Sequence, residues 1–183
     1  MTWLDMKIIS RYDYLGVFDV DEVIVPRNVS SWGAMMAEVT KTSGFPVSWI
    51  FRNTYFFDED PGLASDEELL AANIPEYHHM LRHIYRSALY TEQNYKSFMN
   101  PRRVLNIRSH EPIRCSGNCT SFTVDPSLAH LHHYRGDCVP RLREVCQEDY
   151  KDNTVRDISL WVVRDSVQQR VGQTLKNLGY FFT

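Results

Sequence analysis

The chain has 183 residues, of which 43% are hydrophobic and 23% are charged, a composition typical of a globular protein large enough for one hydrophobic core. A formal net charge of -3 and a pI near 6.1 argue against a nucleic-acid partner bound by bulk electrostatics. No stretch approaches the roughly 20 apolar residues of a transmembrane helix. The N-terminus also lacks the basic and apolar regions of a signal peptide, so these residues contain no recognisable export signal.

The first predicted elements are the end of a helix at 3–10 and a strand at 14–18. The strand leads into three acids at the end of an apolar run: Asp19, Asp21 and Glu22. An α/β sheet that binds a nucleotide needs several βα units before its metal-binding strand, and little chain precedes this one. We therefore expect residues 1–183 to be the C-terminal part of a larger domain.

Asp19 and Asp21 form an Asp-x-Asp motif at the carboxyl end of the predicted strand, where ligands of open α/β sheets bind. Residues two apart on a strand point the same way, so these carboxylates would share one face and Glu22 would take the other. Adjacent carboxylates repel each other unless a cation lies between them, and oxygen ligands favour magnesium or manganese. The motif therefore predicts a metal-assisted site for a phosphorylated ligand. The alternative is a solvated acidic turn after a strand.

Two kinds of enzyme place such a motif at a strand end. In phosphatases of the haloacid-dehalogenase type the first Asp is the nucleophile, and the segment FDVDEVIV resembles their opening motif. In glycosyltransferases of the GT-A type the two acids hold the metal that binds a nucleotide-sugar diphosphate. The phosphatase pattern expects Gly in place of Glu22 and a later Asp pair preceded by Lys, which Asp58-Glu59-Asp60 matches poorly.

The next segments predict packing elements. Ser30 or Ser31 would cap a helix whose apolar residues at helical spacing are Trp32, Met35, Met36 and Val39. A strand is predicted at 45–51 and continues at 55–57. The capping box Ser65-Asp66-Glu67-Glu68 opens a short helix.

Apolar residues at helical spacing also predict a helix from Pro75 to Ala88. His79 and His83 lie four apart on it, as zinc ligands on helices often do, but no Glu or third ligand accompanies them. We therefore interpret both as surface or hydrogen-bonded histidines.

Further on, Lys96 comes before a predicted strand at 103–107, where it either reaches a diphosphate or is a solvated side chain.

The four cysteines lie between positions 115 and 146, and two acceptor sequons for N-glycans begin at Asn28 and Asn118. Two disulfides in a lumenal protein explain this pattern, with three possible connectivities that the sequence does not separate. A zinc site is an alternative, although the spacing of Cys138 and Cys146 does not suit it, and four buried thiols are another.

A histidine-rich segment at 130–135 is the second dense cluster of polar residues. If it is extended, His130 and His132 face one way and His133 faces the other. One imidazole would complete the metal site of the two aspartates, and Arg135 would neutralise phosphate with its planar donors. A histidine-rich surface strand is the alternative.

The last segment, Thr154 to Leu178, predicts a packing helix that is capped at Thr154 and ends before Gly179.

Four ordered segments give the chain a recognisable resemblance: YDYLGVFDVDEVIVP, SWIFRNTYFF, YKSFMNPRRVLNIRSHEP and VDPSLAHLHHYRGDC. Through these segments the sequence resembles glycosyltransferase family 92, and the resemblance covers roughly Trp3 to Leu178. The resemblance implies an α/β class, a partial GT-A fold with a mixed central sheet flanked by helices.

It also implies a Golgi enzyme, lumenal and anchored by one N-terminal membrane helix in full-length relatives. Such an enzyme transfers galactose from UDP-galactose, with inversion, to a glycan or glycoprotein acceptor and uses manganese or magnesium.

Carried over to this sequence, the resemblance assigns roles to particular residues. The metal ligands are Asp19, Asp21 and either His132 or His133, while Glu22 orients the loop. Lys96 and Arg135 lie near the diphosphate. An inverting transfer also needs a carboxylate base for the acceptor hydroxyl, for which Glu111 and Asp58 are the candidates.

The family's N-terminal βα units and its membrane anchor have no counterpart in this sequence. We therefore keep two other interpretations open: a magnesium phosphatase, and an inactive or lectin-like remnant of a glycosyltransferase.

Overall fold

The computed structural model describes residues 11–58, 62–108, 110–138 and 143–180. Its strands are β1 (Leu15–Gly16), β2 (Glu22–Pro26), β3 (Ser48–Phe57), β4 (Tyr85–Ser87), β5 (Thr91–Met99), β6 (Val104–Ile107), β7 (Pro112–Cys115), β8 (Ser121–Thr123), β9 (Ala129–Arg135) and β10 (Thr154–Arg156). Its α-helices are α1 (Trp32–Ser43), α2 (Asp66–Ala71), α3 (His79–Arg82), α4 (Arg143–Cys146) and α5 (Arg164–Asn177). A π-helix at Gln147–Lys151 and a 3₁₀-helix at Ser159–Val163 complete the described elements.

The chain divides into two compact units. The first comprises Met1–Tyr55 and Leu89–His133, and the second comprises Phe56–Ala88 and Tyr134–Thr183. The predicted helix end at 3–10 lies outside the described residues.

A six-stranded sheet is the framework of the first unit. Its strand order is β1-β5-β3-β9-β2, and β8 pairs with β3. The pairing of β8 with β3 is parallel, whereas β1 with β5, β3 with β5 and β2 with β9 are antiparallel. The structure therefore confirms the expected α/β class, and a mixed sheet with helices is compatible with the glycosyltransferase fold that the resemblance implies.

Helix α1 packs its apolar stripe against one face of this sheet. Ser31 caps the helix by accepting a hydrogen bond from Ala34 N, and Gly44 ends it at a φ of 62°, as the sequence predicts. The buried side chains Met35, Met36 and Val39 join a core whose sheet members include Ile24, Trp49, Phe51, Phe98 and Leu131. Burying each large apolar side chain contributes about 1.5–3 kcal/mol. This burial fixes which face of the sheet packs against α1.

The second unit has a smaller core around α2 and α3, with Leu69, Ile74, Leu81 and Ile84 buried in it. The predicted capping box is present: the Ser65 side chain accepts from Glu68 N, and the Glu68 carboxylate accepts from Ser65 N. Trp161 is tied to the same core because its indole N–H donates to Leu81 O at 2.8 Å.

Two sequence-based predictions in this unit are wrong in the same way. The helix predicted from Pro75 to Ala88 is only α3, and the helix predicted from Thr154 begins at Arg164. The reason is pairing: β4 and β10, each inside a predicted helix, form an antiparallel pair. Ile84 N also donates to Gly62 O at 3.1 Å, which draws the chain out of the helix after α3. Tertiary hydrogen bonds thus override helical spacing here.

All four cysteines are paired, as Cys115–Cys119 in the first unit and Cys138–Cys146 in the second. These pairs select one of the three connectivities that the sequence left open and exclude the cysteine zinc site. No helix within the described ranges is long and apolar enough to cross a membrane.

We expect His78 to make the stability of the second unit sensitive to pH. Its side chain is buried, and its Nε2 atom has no hydrogen-bond partner among the described residues. Burial lowers the pKa of His78 below its ordinary value of 6.5. Below pH 6.5 the imidazole is protonated in the unfolded chain, while in the folded protein it stays neutral to a lower pH. Protonation therefore favours unfolding, and the protein loses stability as the pH falls below 6.5.

We therefore expect the Tm to fall as the pH is lowered from neutral to mildly acidic, and His78→Phe to show a smaller fall. Phenylalanine retains an aromatic ring beside Tyr77, which lies 4.6 Å from the His78 ring, but does not titrate. Differential scanning calorimetry of both proteins over this pH range measures the effect. Identical pH dependence would show that His78 does not cause it.

Candidate active site

Asp19 and Asp21 lie in a turn between β1 and β2, and Glu22 is the first residue of β2; we call residues 19–22 the acidic turn. Glu22 N donates to Asp19 O at 3.2 Å, and Asp19 N donates to Glu22 Oε2 at 3.0 Å. The expectation that a buried strand ends at Asp19, with Glu22 on the opposite face, is therefore wrong. Because the chain turns at Asp19, the two-residue alternation of a strand does not apply, and Glu22 joins the same cluster of charges.

Lys96 is the cation of this cluster. It lies on β5 directly opposite Phe51 of β3, so it shares the face of the sheet that carries the core. Its side chain is fully buried, and its ammonium lies 2.8 Å from Asp19 Oδ2 and 3.0 Å from Glu22 Oε2. Burial by itself would lower the pKa of Lys96, but its hydrogen bonds to Asp19 and Glu22 raise the pKa above the ordinary value. The same hydrogen bond holds the pKa of Asp19 below its usual range.

His133 completes the cluster from β9. The register of β2 and β9 places it opposite Glu22. Its Nε2 atom lies 3.4 Å from Asp21 Oδ2, and its Nδ1 atom lies 3.6 Å from Glu22 Oε1. The strand pairing therefore brings an imidazole from the histidine-rich segment beside the second aspartate of the motif.

Two polar residues that sequence reasoning missed support His133. The Tyr55 ring lies 5.5 Å from the His133 ring, and the Tyr55 hydroxyl accepts a hydrogen bond from Asn94 Nδ2 at 3.2 Å. Asn94 has a φ of 54°, the left-handed conformation that Asn adopts more readily than most residues. The pairing of β3 with β5 is irregular here, with a register shift between Phe51 and Asn53, so strand alternation in the sequence did not indicate this contact.

His110 is a third residue that the sequence analysis did not assign to the site. Its positive form would help to lower the pKa of Asp19, after the larger effect of Lys96. Its Nδ1–H donates to Tyr95 O at 2.6 Å, which fixes the ring beside the acidic turn. His110 precedes Glu111 in the sequence, and the sequence analysis considered only Glu111, as a candidate base.

His132 lies elsewhere. It lies on β9 and pairs with Val23 of β2, so its side chain projects from the other face of the sheet than that of His133. Its Nε2 atom lies 3.1 Å from His130 Nε2. Of the two histidines predicted as alternatives for the metal site, only His133 lies beside the acidic turn.

The remaining predicted residues occupy other places. Glu111 accepts a hydrogen bond from the Tyr95 hydroxyl at 3.1 Å in the first unit. Asp58 and Arg135 belong to the second unit, where Asp58 N donates to Arg135 O at 3.1 Å. The Asp58 carboxylate contacts His83, whereas that of Glu111 accepts from Tyr95, so the two candidate bases have different surroundings.

The sequence model of glycosyltransferase family 92 matches residues 6–171 of the 183. The chain belongs to glycosyltransferase family 92. A comparison with curated proteins gave no match. Family membership favours sugar transfer over the phosphatase interpretation, and it implies a sugar donor and a glycan acceptor in general terms. The acidic turn, Lys96 and His133 all fall inside the matched region.

Proposed function

We propose that this family 92 glycosyltransferase transfers a hexose, galactose in the first instance, from a UDP-sugar to a glycan or glycoprotein acceptor, with inversion and with a divalent metal. The observation that carries the proposal is the meeting of Asp21 and His133, which stand more than a hundred positions apart and lie 3.4 Å from each other. Buried Lys96 beside Asp19 and Glu22 adds a structured charge cluster rather than a solvated acidic turn.

The donor atoms of the cluster suit a hard divalent ion in part. Asp21 Oδ2 and His133 Nε2 lie 3.4 Å apart, close enough to share one ion after a small adjustment. Asp19 Oδ2 is bound to Lys96, and its side chain is 69% exposed, so a rotation would be needed to turn its carboxylate toward Asp21. We propose that Asp19, Asp21 and His133 hold manganese or magnesium, which would stabilise the charge that develops on the UDP leaving group.

Lys96 acts in this proposal as a positioning residue. Its ammonium is fully buried and is occupied by two carboxylates, so it orients Asp19 and Glu22 instead of extending to a diphosphate. Arg135 is the other cation proposed for the diphosphate. Glu111 and Asp58 stay as the candidate bases for the acceptor hydroxyl.

We place the reaction in the lumen of the Golgi, with full-length relatives anchored in its membrane. Two disulfides support an oxidising compartment, because such bonds persist there and are rare in the cytosol.

The test is a transfer assay with purified protein, manganese, a panel of UDP-sugars and galactose-terminated or N-acetylglucosamine-terminated acceptors. We expect UDP release that depends on an acceptor and is largest with UDP-galactose, and a β-linked product by NMR. Transfer that retains the α configuration would overturn inversion. Release of orthophosphate from phosphate esters, with a phosphorylated Asp19, would support the phosphatase instead.

A further inference from the structure

A group of possible metal ligands lies in the second unit, and one of its members, Asp58, is also a candidate base for sugar transfer. It consists of Asp58, His79 and His83, which we call the His-Asp cluster. Asp58 follows β3, His79 begins α3, and His83 comes directly after that helix. The sequence shows the two histidines four apart, but the third member stands 21 positions before His79 and is brought to them only by the fold.

The donor atoms of the His-Asp cluster converge on one point. His83 Nε2 lies 2.7 Å from Asp58 Oδ1, and His79 Nε2 lies 3.2 Å from the same oxygen. One ligand atom from each residue lies within 4.8 Å of the others. A tetrahedral ion with bonds of about 2.0 Å separates its ligand atoms by about 3.3 Å, and the two distances to Asp58 Oδ1 lie within about 0.6 Å of that spacing.

The hydrogen bonds around His83 orient it as a ligand. Its Nδ1 atom lies 2.9 Å from His79 O, and a carbonyl can only accept, so Nδ1 carries the hydrogen. Nε2 is therefore the atom presented to Asp58. A hydrogen bond from the second ring nitrogen to a backbone carbonyl is the arrangement that fixes the tautomer and ring direction of metal-bound histidines.

The backbone holds both parts of the cluster in place before any ion binds. Asp58 N donates to Arg135 O at 3.1 Å, which fixes the end of β3. His83 forms an isolated bridge with Leu63, and Ile84 N donates to Gly62 O at 3.1 Å. A cluster anchored on two sides loses little conformational freedom on binding.

We propose that the His-Asp cluster is a zinc site with three protein ligands and one open position. Two imidazoles and one carboxylate are the ligand set of many zinc sites that keep a fourth position for water or a ligand. The His83 side chain is 2% exposed, whereas those of His79 and Asp58 are 63% and 43% exposed, so the ion would rest on a buried ligand and face solvent. The acidic turn of the first unit, with two carboxylates and one imidazole, suits a harder ion.

The experiment is a titration of tag-free protein, stripped with EDTA and dialysed, with cobalt and then zinc. Tetrahedral cobalt has an intense visible absorption, so it reports the geometry of the site as well as its occupancy. We compare the wild type with His79→Gln and Asp58→Asn, whose side chains are 63% and 43% exposed. The matched controls are His110→Gln, which removes an imidazole from the first unit, and Asp21→Asn, which disables the proposed sugar-transfer site.

We expect the intense absorption of one tetrahedral cobalt per chain in the wild type, removed by zinc, and an affinity for this cobalt at least about tenfold lower in His79→Gln and Asp58→Asn. The two controls should show the same tetrahedral absorption as the wild type, whatever further cobalt the acidic turn binds. Absence of the visible absorption in the wild type, or its loss in Asp21→Asn alone, would overturn the proposal. The outcome is independent of sugar transfer, because UDP binding with manganese is measured separately and is expected to survive His79→Gln.

Discussion

Replacing Lys96 with methionine is expected to destabilise the protein by about 3–5 kcal/mol, the cost of removing one partner from a buried ion pair. The Lys96 side chain is fully buried and that of Glu22 is 1% exposed, so the substitution leaves the Glu22 carboxylate buried beside an apolar side chain. Urea unfolding followed by circular dichroism measures the change in the free energy of unfolding.

Lys41→Met is the matched control. Lys41 also pairs with a glutamate, Glu38, at 2.6 Å, but their side chains are 66% and 50% exposed. An exposed pair of this kind contributes about 0–1 kcal/mol. The double variant Lys96→Met with Glu22→Gln should recover part of the lost stability, because the orphaned charge is removed. Equal effects at Lys96 and Lys41 would mean that Lys96 is not a buried partner of Glu22.

Asp21→Asn is expected to lower the rate of sugar transfer at saturating donor by at least about a hundredfold. Asparagine keeps the shape of the side chain but removes the negative charge that faces His133, and with it a ligand of the proposed metal. The Asp21 side chain is 45% exposed, so the Tm should change little. Steady-state kinetics of UDP release, at several manganese concentrations, measures the effect.

Asp13→Asn serves as its control. Asp13 is another acid shortly before β1. Its side chain is 79% exposed, and its carboxylate lies 3.5 Å from the Arg102 guanidinium. We expect the transfer rate of Asp13→Asn to equal that of the wild type. If Asp21→Asn retains full activity while still folded, the second aspartate is not a metal ligand.

Local patterns in the sequence predicted the elements whose formation depends on neighbouring residues. The stripe of Met35, Met36 and Val39, with two possible serine caps before it and Gly44 after it, predicted α1, and the structure selects Ser31 as the cap. The capping box at Ser65 and Glu68 gave α2 in the same way. In each case the signals for burial and for capping agree, and all lie within one short segment.

The parts that the sequence did not predict depend on partners far along the chain. The sequence of strand β4 predicted helix because Ile84, Tyr85 and Ala88, in and beside the strand, continue the helical spacing, yet β4 pairs with β10 about 70 positions later. Glu22 was assigned to the wrong face because a turn at Asp19 interrupts the alternation. No local pattern contains either piece of information.

The candidate site shows the same division. The alternation along 130–133 correctly separated His132 from His133, but only the pairing of β2 with β9 shows which of them meets the acidic turn. Similarly, the proposed role of Lys96 near a diphosphate rested on its charge. Its burial, and its contacts with Asp19 and Glu22, could not be inferred until β5 was known to lie beside β3.

Isothermal titration of UDP into the wild-type protein, in manganese and in EDTA, tests the central claim most directly. The claim is that the acidic turn and His133 together form a metal-dependent site for the nucleotide donor. It predicts binding in manganese that weakens at least about tenfold in EDTA, with the dependence lost in Asp21→Asn. Binding of UDP with equal affinity in both conditions would contradict it.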